Sequence, residues 1–180
     1  MTQPVEQPRR GYARSTGGLV GALIAVTGLM VALWGLMWFQ RSGTDDPART
    51  VEYTAALAAA REQAPFHLVA PDPVPAGLRA TSVSWDGVGG RVSWHLGFVT
   101  ADGDYIGLYQ GNGSVDEFVA ANTPATRGGP VTTIGGARWR TLTDTGRGET
   151  ALVRTASGVT TVVTGTADAE ELTVFAGSLR

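Results

Sequence analysis

Cysteine and lysine are absent from this chain, and histidine occurs only twice. Without cysteine there are no disulfide bonds, no thiol chemistry and no cysteine-linked lipid anchor, so hydrophobic packing must stabilise the folded part. The 14 cationic side chains are therefore all arginines, and 16 carboxylates outnumber them to give a formal net charge of −2. Arginines cluster only within residues 9–14. This composition excludes an extended basic surface, and we expect no nucleic-acid partner.

Charge is also absent from residues 17–39, a run of 23 mostly apolar side chains. As an α-helix rising about 1.5 Å per residue, this run would reach about 34 Å, enough to cross a hydrocarbon core of about 30 Å. It ends in Trp38 and Phe39 followed by Arg41, whereas a signal peptide has a shorter apolar core and ends in small residues at its cleavage site. The pattern predicts a retained transmembrane helix over residues 17–39, with a cleaved signal peptide as the alternative.

The charges on either side of this run predict its orientation. Arginines within residues 9–14 precede it, whereas the segment that follows carries both arginines and aspartates. Positively charged residues next to a membrane span stay in the cytoplasm. We therefore expect a single-pass protein of the cell membrane, with a cytoplasmic N-terminus over residues 1–16, a linker over 40–47 and an extracytoplasmic domain over 48–180.

Small residues recur along the predicted transmembrane helix at intervals of three and four positions. Such spacing places them on one helix face, because an α-helix has about 3.6 residues per turn. A face of small side chains lets two membrane helices pack closely. The pattern predicts a helix–helix packing face and a homodimer formed through it; the alternative is that glycine and alanine are simply abundant in this chain. The residues of this face are Gly17, Gly21, Ala25, Gly28, Ala32 and Gly35.

Helical patterns and strand patterns both occur in residues 48–180. A proline after Asp46 predicts the start of a helix over residues 48–64, and the four prolines within residues 65–75 predict an extended connector. Alternating apolar residues bounded by glycine-rich turns predict antiparallel strands further along. These strands are residues 79–86, 91–100, 104–110, 131–134, 137–143, 150–156 and 159–167.

Two further helices are predicted from their capping residues. Ser114 with Glu117, and Asp168 with Glu171, have the spacing of a capping box, in which two side chains satisfy each other's backbone N–H groups. The element order is then a helix followed by two β-β-β-α-like halves. This order predicts an α+β fold in which an antiparallel β-sheet packs against helices.

Several stretches of the sequence together carry a family resemblance. They are "VEYTAALAAA" in the first predicted helix, "WHLGFVTADGDYIGLYQ" across a predicted hairpin, and "ALVRTASGVTTVVTGTADAEELTVFAGSL" near the end. With the arginine-rich start and the single apolar run, they resemble an actinobacterial single-pass membrane family catalogued as domain of unknown function 4245. The resemblance implies an anchored extracytoplasmic domain in a cell envelope, and it assigns no activity, substrate or catalytic residue.

No catalytic or metal-binding motif is present in the sequence. His67 and His95 are not spaced like zinc ligands, and Gly-x-Ser-x-Gly does not occur. We therefore expect no metal, no cofactor and no catalytic residue that a motif identifies. Aromatic side chains on strands are stronger candidates, since they commonly hold a ligand or partner, although they also commonly form the core. The candidate ligand or partner surface is Trp85, Trp94, His95, Tyr105, Tyr109 and Trp139.

Two classes of function remain. The first, which the sequence favours, is a non-enzymatic cell-envelope component that binds or scaffolds an envelope protein or lipid while its helix holds it in the membrane. The second is a lipid or glycolipid carrier, or an enzyme whose cleft is assembled from residues distant in sequence. A filled sheet surface would favour the first class, whereas a cleft that brings His95 beside a carboxylate would favour the second.

The predicted topology is tested by a reporter enzyme fused after Arg180. We expect the reporter to be active outside the cytoplasm, because the arginines of residues 9–14 hold the N-terminus inside. N-terminal sequencing of the mature protein is the control, and it should show that residues 17–39 are retained in the chain. A cytoplasmic reporter, or a mature chain that begins beyond residue 39, would contradict the prediction.

Overall fold

A computed structural model describes residues 50–88, 90–144, 146 and 148–180 of the chain. The predicted transmembrane helix over residues 17–39, its small-residue face and the linker over 40–47 lie outside the described residues. Among the residues that are described, no helix has both the length and the apolar character needed to cross a membrane.

In this part of the chain, three helices and seven strands form an α+β fold, as predicted. The helices are α1 (Thr54–Gln63), α2 (Val115–Asn122) and α3 (Ala169–Ser178). The strands are β1 (Arg79–Val88), β2 (Arg91–Val99), β3 (Tyr105–Asn112), β4 (Arg127–Ile134), β5 (Ala137–Thr143), β6 (Thr150–Ala156) and β7 (Val159–Gly165).

The strands form one antiparallel sheet with the order β1-β2-β3-β7-β6-β5-β4. Short turns join β1 to β3 as one meander and β4 to β7 as another, because hairpin-length loops bring consecutive strands side by side. The segment containing α2 carries the chain from β3 in the middle of the sheet to β4 at its edge. The two meanders then meet where β3 pairs with β7.

The larger core lies on the sheet face covered by α1 and α3, which we call the α1/α3 face. Side chains alternate between the two faces of a strand, so Trp94, Leu96 and Phe98 of β2 all point to this face. They pack with apolar residues of α1, of α3 and of the connector between α1 and β1. The fully buried members include Leu68, Trp94, Leu96, Phe98, Ile106, Leu108, Val163, Leu172 and Phe175.

A smaller core lies on the other face, against α2, and we call this the α2 face. Its buried residues are contributed mainly by β5, β6 and β7, and the half-buried Phe118 and Val119 of α2 pack against them. The two faces together bury β7 on both sides, which explains its nearly continuous apolar and threonine sequence. The buried residues of the smaller core are Ala125, Leu142, Ala151, Val153 and Val162.

Capping residues start two of the helices as predicted. Asp168 accepts a hydrogen bond from the Glu171 N–H (2.8 Å), and the Glu171 carboxylate accepts one from the Asp168 N–H (3.3 Å), which completes the capping box of α3. At α2, the described residues show only the first bond of the predicted capping box, in which Ser114 accepts a hydrogen bond from the Glu117 N–H (3.4 Å). These bonds satisfy N–H groups that have no partner within the first helical turn.

The predicted start of the first helix at residue 48 is wrong, since α1 begins at Thr54 and its N-cap, Tyr53, makes no side-chain capping bond. The physical reason lies in tertiary structure. The Val51 N–H donates to the Ala80 carbonyl oxygen of β1 (2.8 Å), so the backbone before Tyr53 is paired with a strand.

Gly165 supports a stability prediction. It lies where β7 passes β3, and a Cβ atom at this position would overlap the Tyr105 carbonyl oxygen. Because backbone cannot give way as a flexible side chain can, we expect Gly165→Ala to lower the free energy of unfolding by about 3 kcal/mol. Denaturant unfolding measures this change.

Gly128→Ala is the matched control, because a Cβ atom on this strand glycine of β4 would meet nothing within 4 Å. The control should change the free energy of unfolding by about 0.5 kcal/mol or less. Equal effects of the two substitutions would contradict the argument from close approach.

Candidate functional site

Three polar aromatic residues meet on the α2 face, and we call them the aromatic cluster: His95, Tyr105 and Tyr109. His95 of β2 lies directly opposite Tyr109 of β3 in the strand register. Their rings stack with centroids 4.5 Å apart and planes inclined by 22°. His95 Nε2 lies 2.9 Å from the Tyr105 hydroxyl. The structure thus brings together three residues that the sequence placed in a candidate surface.

Glycines beside the cluster make room for its rings. A Cβ atom at Gly97 would lie 2.8 Å from the Tyr105 hydroxyl oxygen, and one at Gly107 would lie 2.7 Å from Tyr109 Cε2. A larger residue at either position would force these side chains to shift, so glycine leaves room for the rings as they lie. The sequence analysis did not identify either glycine. The sequence does show that each lies two residues from an aromatic side chain of the cluster, and therefore on the same strand face.

Burial disfavours the charged forms of His95 and Tyr105. It lowers the pKa of His95, because the imidazolium form is poorly solvated there. It raises the pKa of Tyr105; the Tyr109 side chain raises this pKa further, and hydrogen bonding with Ser82 opposes the shift. The cluster therefore offers neutral donors, neutral acceptors and ring surfaces. Which partner donates between His95 and Tyr105 depends on the imidazole tautomer.

The tryptophans of the candidate surface lie on the α1/α3 face, away from the aromatic cluster. Trp94 and Trp139 are 0 % and 1 % exposed, and no partner for either indole Nε1 is found in the described part of the chain. Trp85 is half-buried and lies directly opposite Trp94 in the β1–β2 hairpin. Because side chains alternate along β2, Trp94 and His95 lie on opposite faces of the sheet.

A cleft of about 480 Å³ opens at the far end of β2, beside α2. Asp86, Arg91 and Glu117 contribute to its lining, and His95 does not. The ring and hydrogen-bond contacts of His95 are instead with tyrosines. Within the described ranges, no three histidine or carboxylate side chains lie close enough together to hold a metal ion. The arrangement at His95 therefore suits hydrogen bonding and stacking.

The lowered pKa of His95 generates a pH prediction. Since its folded-state pKa lies below the usual 6.5, the unfolded chain binds a proton that the folded chain does not. The stability contributed by the neutral imidazole is therefore complete above about pH 6.5 and is lost as the pH falls towards the folded-state pKa. An NMR titration of the imidazole protons should show His95 titrating below its usual range.

His67→Gln assigns the remaining imidazole signal to His95. As the pH falls below about 6.5, protonation of His95 should lower the stability of the wild type. His95→Gln should remove this contribution. A His95 pKa at or above the usual value would contradict the argument from burial.

Comparison with known proteins gives one result. The model of the family described as Protein of unknown function (DUF4245) matches residues 12–179. No curated protein and no solved structure matches the chain. The family match spans the apolar run, the aromatic cluster and the whole sheet, and it confirms the resemblance to domain of unknown function 4245. The chain therefore belongs to the DUF4245 family.

Proposed function

We propose that this chain is a single-pass membrane protein of an actinobacterial cell envelope, and that its extracytoplasmic domain binds a ligand without catalysing a reaction. The apolar run at residues 17–39 and the arginines before it support the membrane anchor and its orientation. The aromatic cluster supports the binding role. The ligand that we propose is a neutral, hydroxyl-rich molecule, the chemistry of an envelope glycan.

The observation that carries this proposal is the direct contact of two neutral titratable side chains on a half-buried surface. His95 and Tyr105 share a hydrogen bond of 2.9 Å, and burial disfavours the charged form of both. Neutral donors and acceptors suit hydroxyl groups, which carry no charge themselves. The stacked rings of His95 and Tyr109 add an apolar surface for the carbon skeleton of the same ligand.

The same pKa shifts disfavour acid–base catalysis at this cluster. A general acid or base works best with a pKa near the operating pH. A raised pKa makes the Tyr105 phenolate scarce, and a lowered pKa makes His95 a weaker base. The aromatic cluster is therefore better suited to ligand binding than to acid–base catalysis.

The test uses the full-length protein in detergent micelles and neutral oligosaccharides released from the native envelope. We expect the wild type to bind them, and Tyr109→Ala to weaken binding by about fivefold or more, because an aromatic contact contributes on the order of 1 kcal/mol or more. Tyr105→Phe keeps the ring over the glycines and removes the hydroxyl, so it should weaken binding by a smaller factor. Calorimetric titration measures each affinity.

Val131→Ala is the control, because this side chain is 52 % exposed on β4 at the far edge of the sheet. It should leave the affinity unchanged. The proposal would be overturned if no neutral oligosaccharide bound, or if Val131→Ala weakened binding as much as Tyr109→Ala.

A further inference from the structure

A row of polar side chains crosses the α1/α3 face, which is otherwise mostly apolar. Gln110 of β3 pairs with Thr161 of β7, and Thr161 pairs with Arg154 of β6. These residues lie on one sheet face because paired residues in adjacent strands point the same way. The neighbouring row, by contrast, is formed by Leu108, Val163 and Leu152. We call the first set the polar row: Gln110, Thr161 and Arg154.

Gln110 fastens the connector, residues 64–78, across the polar row. Its Oε1 accepts a hydrogen bond from the Val69 N–H (2.9 Å), and its Nε2 donates one to the His67 carbonyl oxygen (3.0 Å). Both ends of this buried amide are therefore used, as expected for a side chain that is 4 % exposed. These two hydrogen bonds hold the connector backbone against the α1/α3 face at Gln110.

The space beside the fastened connector is a cleft of about 410 Å³, which we call the Arg154 cleft. Phe66 and Val69 of the connector line one side, and Ser157 and Val159 of the β6–β7 hairpin line another. Gln110, Thr161 and Arg154 also line the cleft, as do Pro65, His67 and Ala156. A volume of a few hundred Å³ is in the usual range for small-molecule sites.

Arg154 is half-buried in this cleft without a compensating charge. Within the described ranges, no hydrogen bond or ion pair engages its guanidinium, and no aspartate or glutamate lines the cleft. Desolvating a cation is unfavourable unless it is paired and hydrogen-bonded. Thr161 is 6 % exposed, and its hydroxyl likewise has no partner among those residues. Two kinds of unused donor thus line the same cleft.

We propose that the Arg154 cleft binds a phosphate group. The guanidinium has a planar fork of N–H donors that matches two oxygens of such an anion. The Thr161 and Ser157 hydroxyls can donate to further oxygens, and Phe66 with Val69 can contact an apolar part of the ligand. This site goes beyond the proposed function, because the polar row and the aromatic cluster lie on opposite faces of the sheet.

The experiment uses the full-length protein in a maltoside detergent, in phosphate-free buffer at constant ionic strength. Calorimetric titration with inorganic phosphate measures binding of the free anion. Titration with short-chain phosphatidylglycerol in mixed micelles measures binding of a lipid phosphate. We expect saturable binding of at least one probe; binding of phosphatidylglycerol alone would identify the source as a lipid head group, and binding of inorganic phosphate would identify a soluble one.

Arg154→Gln should weaken that binding by about tenfold or more, since it removes a charge-assisted bidentate contact. Arg154→Lys keeps the charge without the fork and should lose part of the affinity. The matched control is Arg140→Gln, which removes the same charge from an exposed position on the opposite sheet face. The control should bind as the wild type does.

The unfolding temperature without phosphate tells whether Arg154 has a structural role, because losing a structural contact would lower it. Because Arg154 is unpaired, Arg154→Gln should unfold at the same temperature as the wild type or higher. A marked fall in that temperature would assign Arg154 a structural role and overturn the proposal. It would also be overturned if neither probe bound, or if Arg140→Gln weakened binding as much as Arg154→Gln.

Discussion

The antiparallel pairing of β3 with β7 is the contact on which the rest of this structure depends. It joins the two meanders into one sheet, although α2 and the three strands β4, β5 and β6 separate β3 from β7 in the chain. Through it, Leu108 meets Val163 in the larger core, and Tyr109 lies beside Val162 of the smaller core. The same pairing sets Gln110 next to Thr161. The β3–β7 pairing therefore positions residues of both cores and of both candidate sites.

The two faces of the sheet present different chemistry because the side-chain period of a strand is two. Along β3, Gln110 points towards the connector and anchors it, while the adjacent Tyr109 stacks on His95 on the other side. One face thus carries a neutral aromatic cluster, and the other carries an unpaired guanidinium among hydroxyls and apolar walls. His95 on β2 and Arg154 on β6 are separated by β3 and β7 as well as by the sheet itself, and burial accounts for the lowered pKa of His95.

Local patterns predicted most of the elements but not all of their limits. β5 and β6 have the predicted bounds, and the capping box of α3 forms, because short-range alternation and capping decide these features. β4 runs from Arg127, whereas the sequence placed its start at Val131; Gly128, Gly129 and Pro130 have turn composition, yet the strand continues past a register shift against β5. α1 starts late for a similar reason, since pairing with β1 competes with helix formation. At the starts of β4 and α1, tertiary contacts therefore outweigh the local conformational preference of the sequence.

The sequence by itself determined the α+β class, the side-chain alternation along β2, the capping residues of α2 and α3 and the membership of the DUF4245 family. It named His95, Tyr105 and Tyr109, but it grouped them with tryptophans that lie on the other face. Only the tertiary structure decided which strands are neighbours, which aromatic residues are buried and that Arg154 shares a cleft with the connector. The physical reason is that these properties depend on contacts between segments far apart in the chain. Which distant strand pairs, and which helix covers a face, follows from packing of the whole domain and not from the residues on either side.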